Sequence, residues 1–96
     1  MTKTTLQTEA AARVRAALLE RGLDLQPESV SMREGELWLV FESGPRCAAI
    51  DTGSGIWLGS TASGEWRCVG SPCSVSSVAM AVDHLASRLD FSRGRL

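Results

Sequence analysis

The sequence predicts an α+β domain in which a helix, a five-stranded antiparallel meander and a second helix follow one another, with both helices packed on one face of the sheet. Apolar residues recur at helical spacing near both ends of the chain. Between them lie five short apolar segments, each bounded by Gly, Pro or Ser. The connections are too short for parallel crossovers, which favours antiparallel pairing. A chain of 96 residues is predicted to form a single domain, 1–96.

The first helix is predicted from Thr5 to Arg21. Thr4 and Gln7 have the spacing of a capping box, and Gly22 suits the left-handed position that follows a helix. The face that packs on the sheet is predicted from apolar residues three or four positions apart, namely Leu6, Ala10, Val14, Ala17 and Leu18.

Five strands are predicted over residues 29–33, 36–42, 46–51, 56–60 and 65–69. The second segment is nearly all apolar, which is typical of a strand covered on both faces. The second helix is predicted to start near Ser71-Pro72, with Ser74 as an alternative cap, and to end near Asp90. Its apolar stripe is predicted to be Val75, Val78, Val82, Leu85 and Leu89.

A choice of register assigns each strand residue to a face, because successive side chains of a strand point to opposite sides. We expect Glu42 to lie opposite Arg46 as an ion pair, and Trp66 to lie over Gly59. One face, covered by the helices, then carries Val30, Met32, Leu37, Leu39, Phe41, Cys47, Ala49, Ile56, Leu58 and Val69. The other carries Trp38, Val40, Ala48, Ile50, Trp57, Gly59, Trp66 and Cys68, with Ser29, Ser31, Arg33, Glu42 and Arg46 at its edges.

Three tryptophans on a face that the helices do not cover predict a protein interface, since monomers rarely leave so large an apolar patch in water. Homodimerisation, sheet to sheet, is the simplest form of it. The alternative is that the tryptophans pack among themselves or lie under a helix. The predicted partner-binding residues are Trp38, Trp57, Trp66, Ile50 and Val40, with Arg33 and Arg46 at the rim, since aromatic residues and arginine dominate interface energetics.

The charge balance argues against several classes of partner. Ten basic and eleven acidic side chains give a net charge of −1, which disfavours binding to a phosphate backbone. A single-stranded nucleic acid stacked on the aromatic sheet remains an alternative. No apolar stretch approaches the ~20 residues that span a bilayer, and the N-terminus lacks an apolar signal-peptide core. A cytoplasmic protein without membrane contact is expected.

The segment Asp51-Thr52-Gly53, which follows the apolar Ala49-Ile50, resembles the active-site motif of aspartic peptidases. In that family two such aspartates share one proton, and the small retroviral-type members dimerise to supply the second. The resemblance implies, as an alternative function, a homodimeric peptidase with Asp51 as its catalytic residue. The rest of the chain departs from that family, which is nearly all β. Asp-Thr-Gly also suits a tight hairpin turn.

The cysteines and the histidine indicate no metal or cofactor. Three cysteines, an odd number, are expected to be reduced thiols. Cys73 near a helix start could be reactive, but His84 would lie roughly 16 Å away along a continuous helix. The predicted register places Cys47 and Cys68 on opposite faces, where they could not share a zinc ion.

Taken together, these features predict a non-enzymatic binding or inhibitory protein that occludes a partner's surface through its tryptophans. Its size and the lack of a catalytic constellation are similar to those of accessory proteins of phages and plasmids. Inhibitors of bacterial defence systems, such as anti-CRISPR proteins, belong to that group. The identity of a partner is beyond what these residues indicate.

Overall fold

A computed structural model describes residues 3–61 and 63–94. The elements are α1 (Lys3–Glu20), β1 (Glu28–Ser31), β2 (Leu37–Ser43), β3 (Arg46–Ile50), β4 (Ile56–Ser60), β5 (Trp66–Gly70) and α2 (Val75–Gly94). The five strands form one antiparallel sheet in the order β1-β2-β3-β4-β5, so the predicted meander between two helices is confirmed. Neither helix, over its described residues, is long and apolar enough to cross a membrane.

Both helices pack on the same face of the sheet, as predicted. They share one hydrophobic core with that face, and α1 also contacts α2. Burial of these aliphatic and aromatic side chains is the main stabilising term that such a small domain has. The largest fully buried apolar side chains are Phe41, Leu18, Ile50, Ile56, Leu85 and Val14.

Helix α1 is rotated relative to the predicted stripe, so that Gln7 is buried and Leu6 is exposed. The Gln7 amide donates hydrogen bonds to the carbonyl oxygens of Leu37 (2.8 Å) and Ile50 (3.0 Å). These carbonyls lie where β2 begins and β3 ends. Gln7 therefore ties α1 to the sheet through its side chain, and its burial is stable because its amide is hydrogen-bonded.

Helix α2 begins at Val75 with Ser74 as its cap, the later of the two predicted starts. The Ser77 backbone N–H donates to Ser74 Oγ (3.2 Å), and the Ser74 N–H donates to Ser77 Oγ (2.8 Å), which is a reciprocal capping arrangement. Ser77 is buried, whereas Val75 of the predicted stripe is 89% exposed. A Cβ on Gly70 would lie 2.5 Å from Ser77 Cβ, so the first turn of α2 packs directly against the end of β5.

The predicted register of β3 is wrong by one residue. Glu42 lies opposite Cys47, and Arg46 lies opposite Ser43. The reason is the turn: Gly44-Pro45 joins the strands as a two-residue loop, with Gly44 at φ +63°, whereas the prediction assumed three loop residues. A shift of one residue moves the side chains of β3 to the opposite faces.

The register of β1 also differs by one residue from the prediction. Val30 lies opposite Trp38, so it shares the face of that tryptophan and does not pack beneath the helices. Glu28 lies opposite Val40 and falls on the same face. A turn at Arg33–Gly35, with Glu34 at φ +53°, sets this pairing. The sequence predicts a turn at Glu34-Gly35 with Arg33 opposite Glu36, whereas the turn also takes in Arg33 and Glu34 adopts a left-handed conformation, so the pairing moves by one residue.

Candidate partner-binding face

The side of the sheet remote from the helices carries a second apolar cluster, which we call the tryptophan face. Its buried centre consists of Trp38, Val40, Cys47 and Ala49. Three partly buried residues, Met32, Trp57 and Trp66, pack against that centre. Among the residues that the structure describes, this cluster contains no helical residue, so it is built by the sheet and its turns alone.

The three tryptophans contact one another. The ring of Trp38 lies 5.2 Å from that of Trp57, tilted by 35°, and 6.4 Å from that of Trp66 in an edge-to-face arrangement. Trp38 is only 2% exposed, because the other two rings cover it. The predicted shared face of Trp38, Trp57, Trp66 and Val40 is confirmed. The alternative that the tryptophans pack among themselves also holds for Trp38, whereas Trp57 and Trp66 remain half-buried.

Trp66 owes its position to Gly59. A Cβ built on Gly59 would lie 2.6 Å from Trp66 Cε3 and 2.8 Å from the carbonyl oxygen of Glu65. The indole therefore lies directly on the backbone of β4, as the sequence predicts. Gly59 pairs with both Cys47 and Trp66, so this close approach joins β5 to the centre of the tryptophan face.

Asp51 fixes both the turn after β3 and the ring of Trp57. One carboxylate oxygen accepts hydrogen bonds from the backbone N–H groups of Gly53 and Gly55, each at 2.8 Å. The other accepts the indole N–H of Trp57 at 2.8 Å. A peptidase would need this carboxylate to face a substrate, whereas here both oxygens hold the turn and the ring, as expected of an Asx turn.

Four carboxylates border the tryptophan face. Glu28 and Glu42 project from this side of β1 and β2, opposite Val40 and Cys47. Glu36 accepts the indole N–H of Trp38 at 3.3 Å, and Asp51 binds that of Trp57. The rim of this face is therefore acidic, which opposes the approach of a phosphate backbone.

The arginines whose side chains the structure describes lie on the other side of the molecule. Arg46 pairs with Ser60, and its guanidinium lies 3.5 Å from Nδ1 of His84 on α2. Arg15 of α1 forms an ion pair with Asp24, and Arg21, just after α1, forms one with Asp83. Arg13 lies beside the start of α2, and Arg67 lies opposite Leu58 on the helix side. The described basic side chains thus lie on the helix side together with acidic ones such as Asp24 and Asp83, whereas the tryptophan face is bordered by carboxylates.

Two predicted partner-binding residues lie on the wrong side of the sheet for that role. Ile50 is fully buried beneath the helices, and Arg46 contacts α2, because both belong to the strand whose register is shifted. The predicted ion pair of Glu42 with Arg46 is therefore also wrong. The side chain of Arg33 lies outside the described residues. The same shift brings Cys47 onto the face that carries Cys68, where the sequence predicted opposite faces; the two cysteines lie on β3 and β5, with β4 between them.

Between β1, β2 and Trp66 the tryptophan face contains a cavity of about 170 Å³. Its walls combine apolar side chains with two carboxylates. The sequence did not indicate this cavity, because the predicted register placed Val30, Met32 and Cys47 beneath the helices. It is lined by Glu28, Val30, Met32, Val40, Glu42, Cys47, Thr61 and Trp66.

Cys47 is expected to be the least reactive thiol on this face. Burial raises the pKa of the Cys47 thiol, and the neighbouring Glu42 carboxylate raises it further by repelling the thiolate; a backbone hydrogen bond at Thr61 acts in the opposite direction. At mildly alkaline pH, iodoacetamide should alkylate Cys47 roughly tenfold or more slowly than the exposed Cys68, since the burial and the raised pKa of Cys47 both slow its reaction. Glu42→Gln should raise the Cys47 rate. Peptide mass mapping over time checks both, and equal rates in the wild type would contradict the burial of Cys47.

The cysteines form no disulfide, and all three are free thiols. Cys73 is partly buried and packs against the core between sheet and helices, so it fills space at the start of α2. Within residues 3–61 and 63–94, no three His, Cys, Asp or Glu side chains converge to hold a metal ion.

Comparisons of the chain with protein-family models, with curated proteins and with solved structures give no match. Its function is therefore inferred from the geometry and chemistry of its own residues. The tryptophan face is the region where partly exposed indole rings, a cavity and a border of carboxylates coincide.

Proposed function

We propose that this chain is a non-enzymatic binding protein that occludes part of a partner protein's surface with its tryptophan face. The observation that carries the proposal is the position of Trp57 and Trp66, which remain half-buried on a sheet face that no described helix covers. Beside them, Val30 is 39% exposed. Tryptophan offers a large, rigid apolar area, and it is the residue type most enriched among interface anchors. An inhibitory role, like that of phage or plasmid accessory proteins, agrees with this mechanism.

The size of the cavity supports binding of a protein over binding of a small substrate. Ligand pockets typically have volumes of about 300–1,000 Å³. The cavity on the tryptophan face, at about 170 Å³, matches a single protruding side chain. The half-buried rings of Trp57 and Trp66 and the side chain of Met32 lie around it within a polar border, as in a protein interface with an apolar centre and a polar rim.

The acidic rim favours a different protein as the partner over a sheet-to-sheet homodimer. A two-fold interface places the same patch of both copies in contact. The carboxylates that border this face in both copies would then lie within one interface, and like charges brought together across an interface are unfavourable. We expect the isolated chain to be monomeric in light scattering at micromolar concentration.

A photo-crosslinking amino acid placed on either side of the sheet tests the proposal. Replacing the exposed Cys68 on the tryptophan face should give a discrete adduct with one protein in cells that carry the gene. Replacing the exposed Glu9 on α1 should give none. With the partner purified, Trp66→Ser should weaken binding roughly thirtyfold or more, as expected of an anchor worth about 2 kcal/mol.

Leu19→Ser on the outer side of α1 provides the matched control, since Leu19 is also a large exposed apolar residue. It should leave the affinity unchanged, and the circular dichroism of both variants should match that of the wild type. Adducts formed equally from both positions, or an affinity insensitive to Trp66→Ser, would rule out the tryptophan face as the interface.

A further inference from the structure

We infer that the cavity on the tryptophan face accepts an arginine side chain from a basic segment of the partner protein. The inference rests on the proposed function, and it adds the chemical class of the segment that this face binds. It is carried by two carboxylates, an indole ring and an apolar wall that surround one small volume.

The first step is the sign of the charge. Glu28 and Glu42 both line the cavity, and both are exposed. The ion pairs between described side chains join Arg15 to Asp24 and Arg21 to Asp83, and neither Glu28 nor Glu42 takes part in them. The backbone of Arg33 lies beyond the opposite end of β1 from Glu28. Two carboxylates at one opening attract a cation. The partner segment that binds there is therefore expected to be positively charged.

The second step is the shape of the cation. Trp66 forms one wall of the cavity, and indole is the aromatic ring that binds cations best. A guanidinium is planar and weakly hydrated, so it can stack on the indole while its N–H groups donate to a carboxylate. The ammonium of lysine is a compact and strongly hydrated charge, which fits this combination less well.

The third step is the apolar wall. Val30, Met32 and Val40 line the cavity between the carboxylates and the sheet. The methylene stem of an arginine can pack on such a wall while its charged end reaches the rim. Met32 has an unbranched, adaptable side chain that suits a surface which closes around an incoming group. A volume of about 170 Å³ is of the size that one such side chain occupies.

Other occupants fit these groups less well. A nucleic-acid strand would bring phosphates toward four carboxylates. A second copy in two-fold contact would bring the same carboxylates together. A second copy bound head to tail could insert an arginine from its helix side, but such contacts repeat into closed rings or open filaments, in conflict with the monomer expected in light scattering.

The inference is tested with the blocked peptide acetyl-Gly-Ser-Arg-Leu-Arg-Ser-Gly-amide and its citrulline counterpart, which is neutral and nearly isosteric. Three tryptophans give three indole N–H signals in a nitrogen-15 NMR spectrum, each assignable by substitution. The arginine peptide should shift the Trp66 signal most and that of the buried Trp38 least. Its affinity should fall roughly tenfold in the E28Q/E42Q variant and should weaken as salt is raised.

The matched control is E9Q/E20Q, which removes two exposed carboxylates from α1 and should leave the affinity unchanged. Equal binding of the citrulline peptide, or an unchanged affinity in E28Q/E42Q, would overturn the inference while leaving a protein-binding face in place. Self-association through this face, or binding of a single-stranded oligonucleotide to it, would also overturn it. If the purified partner fails to bind through this face as well, the proposed function fails together with the inference.

Discussion

Trp38→Ala should lower the free energy of unfolding by about 3–5 kcal/mol, the largest effect expected of a single substitution on the tryptophan face. Trp38 is 2% exposed, and its ring contacts both Trp57 and Trp66. Truncation would remove those contacts and leave a void beneath two rings that depend on it for support. A domain of this size has a total stability of roughly 5–15 kcal/mol, so the variant could be partly unfolded at room temperature.

Urea denaturation followed by circular dichroism measures this loss as a shift of the unfolding midpoint. Leu37→Ala is the matched control on the same strand, because Leu37 immediately precedes Trp38 and is 55% exposed. That change should alter stability by less than about 1 kcal/mol. A similar small effect for Trp38→Ala would mean that the tryptophan cluster is not a packed layer.

Trp38 has a different role from Trp57 and Trp66, although the three rings form one aromatic cluster. Trp38 stabilises the sheet from the side opposite the helices and has little surface to offer a partner. Trp57 and Trp66 cover it and keep their outer surfaces accessible. A five-stranded sheet can thus be buried on one face by its helices and on the other partly by its own side chains. The remaining exposure at Trp57 and Trp66 is the surface left for binding.

The sequence predicted the element order and the common face of the tryptophans, because both depend on periodicity within single segments. Within β2, the alternation of Trp38 and Val40 with Phe41 is fixed whatever strand lies beside it. The positions of Ile50 and Arg46 depended instead on the length of one loop. Gly44-Pro45 forms a two-residue turn, and counting Ser43 as a third turn residue reversed the side-chain directions of β3.

Polar residues in the core were the other source of error. Gln7 and Ser77 occupy buried positions that apolar periodicity assigned to Leu6 and Val75. Each is buried because its side chain has hydrogen-bond partners, two strand carbonyls for Gln7 and the helix cap for Ser77. Those partners come from other parts of the fold or from the local cap, which a hydrophobic pattern does not record.

The acidic cavity could not be predicted for a related reason. Glu28 precedes the predicted first strand, and Glu42 was expected to be neutralised by Arg46. Only the pairing of Glu28 with Val40 and of Glu42 with Cys47 brings the two carboxylates to one side of the sheet. Net charge gave no indication, because a total of −1 does not record which side of the sheet each carboxylate lies on.

Asp51→Asn should lower the free energy of unfolding by about 1.5–3 kcal/mol, the range for hydrogen bonds to a charged group. The amide can still accept the N–H groups of Gly53 and Gly55 with its oxygen. Its NH₂ group would then face the indole N–H of Trp57, and two donors cannot satisfy each other. Trp57→Phe removes that donor. The loss of unfolding free energy in the double variant should therefore be about 1 kcal/mol smaller than the sum of the losses in the two single variants. Strict additivity would mean that Asp51 does not hold Trp57.

The same substitution distinguishes a structural aspartate from a catalytic one. If Asp51 acts as a peptidase residue, the wild type should cleave an unfolded protein under mildly acidic conditions, and Asp51→Asn should abolish that cleavage. If it holds the turn and Trp57, the wild type should cleave nothing, and the substitution should change only stability and the indole signal of Trp57. If the wild type cleaves protein at acidic pH, and Asp51→Asn abolishes that cleavage without changing stability, then the chain is a peptidase and the binding function proposed here is wrong. The three N–H donors within 2.8 Å of its oxygens favour the structural role, because each would have to be displaced before the carboxylate could act on a substrate.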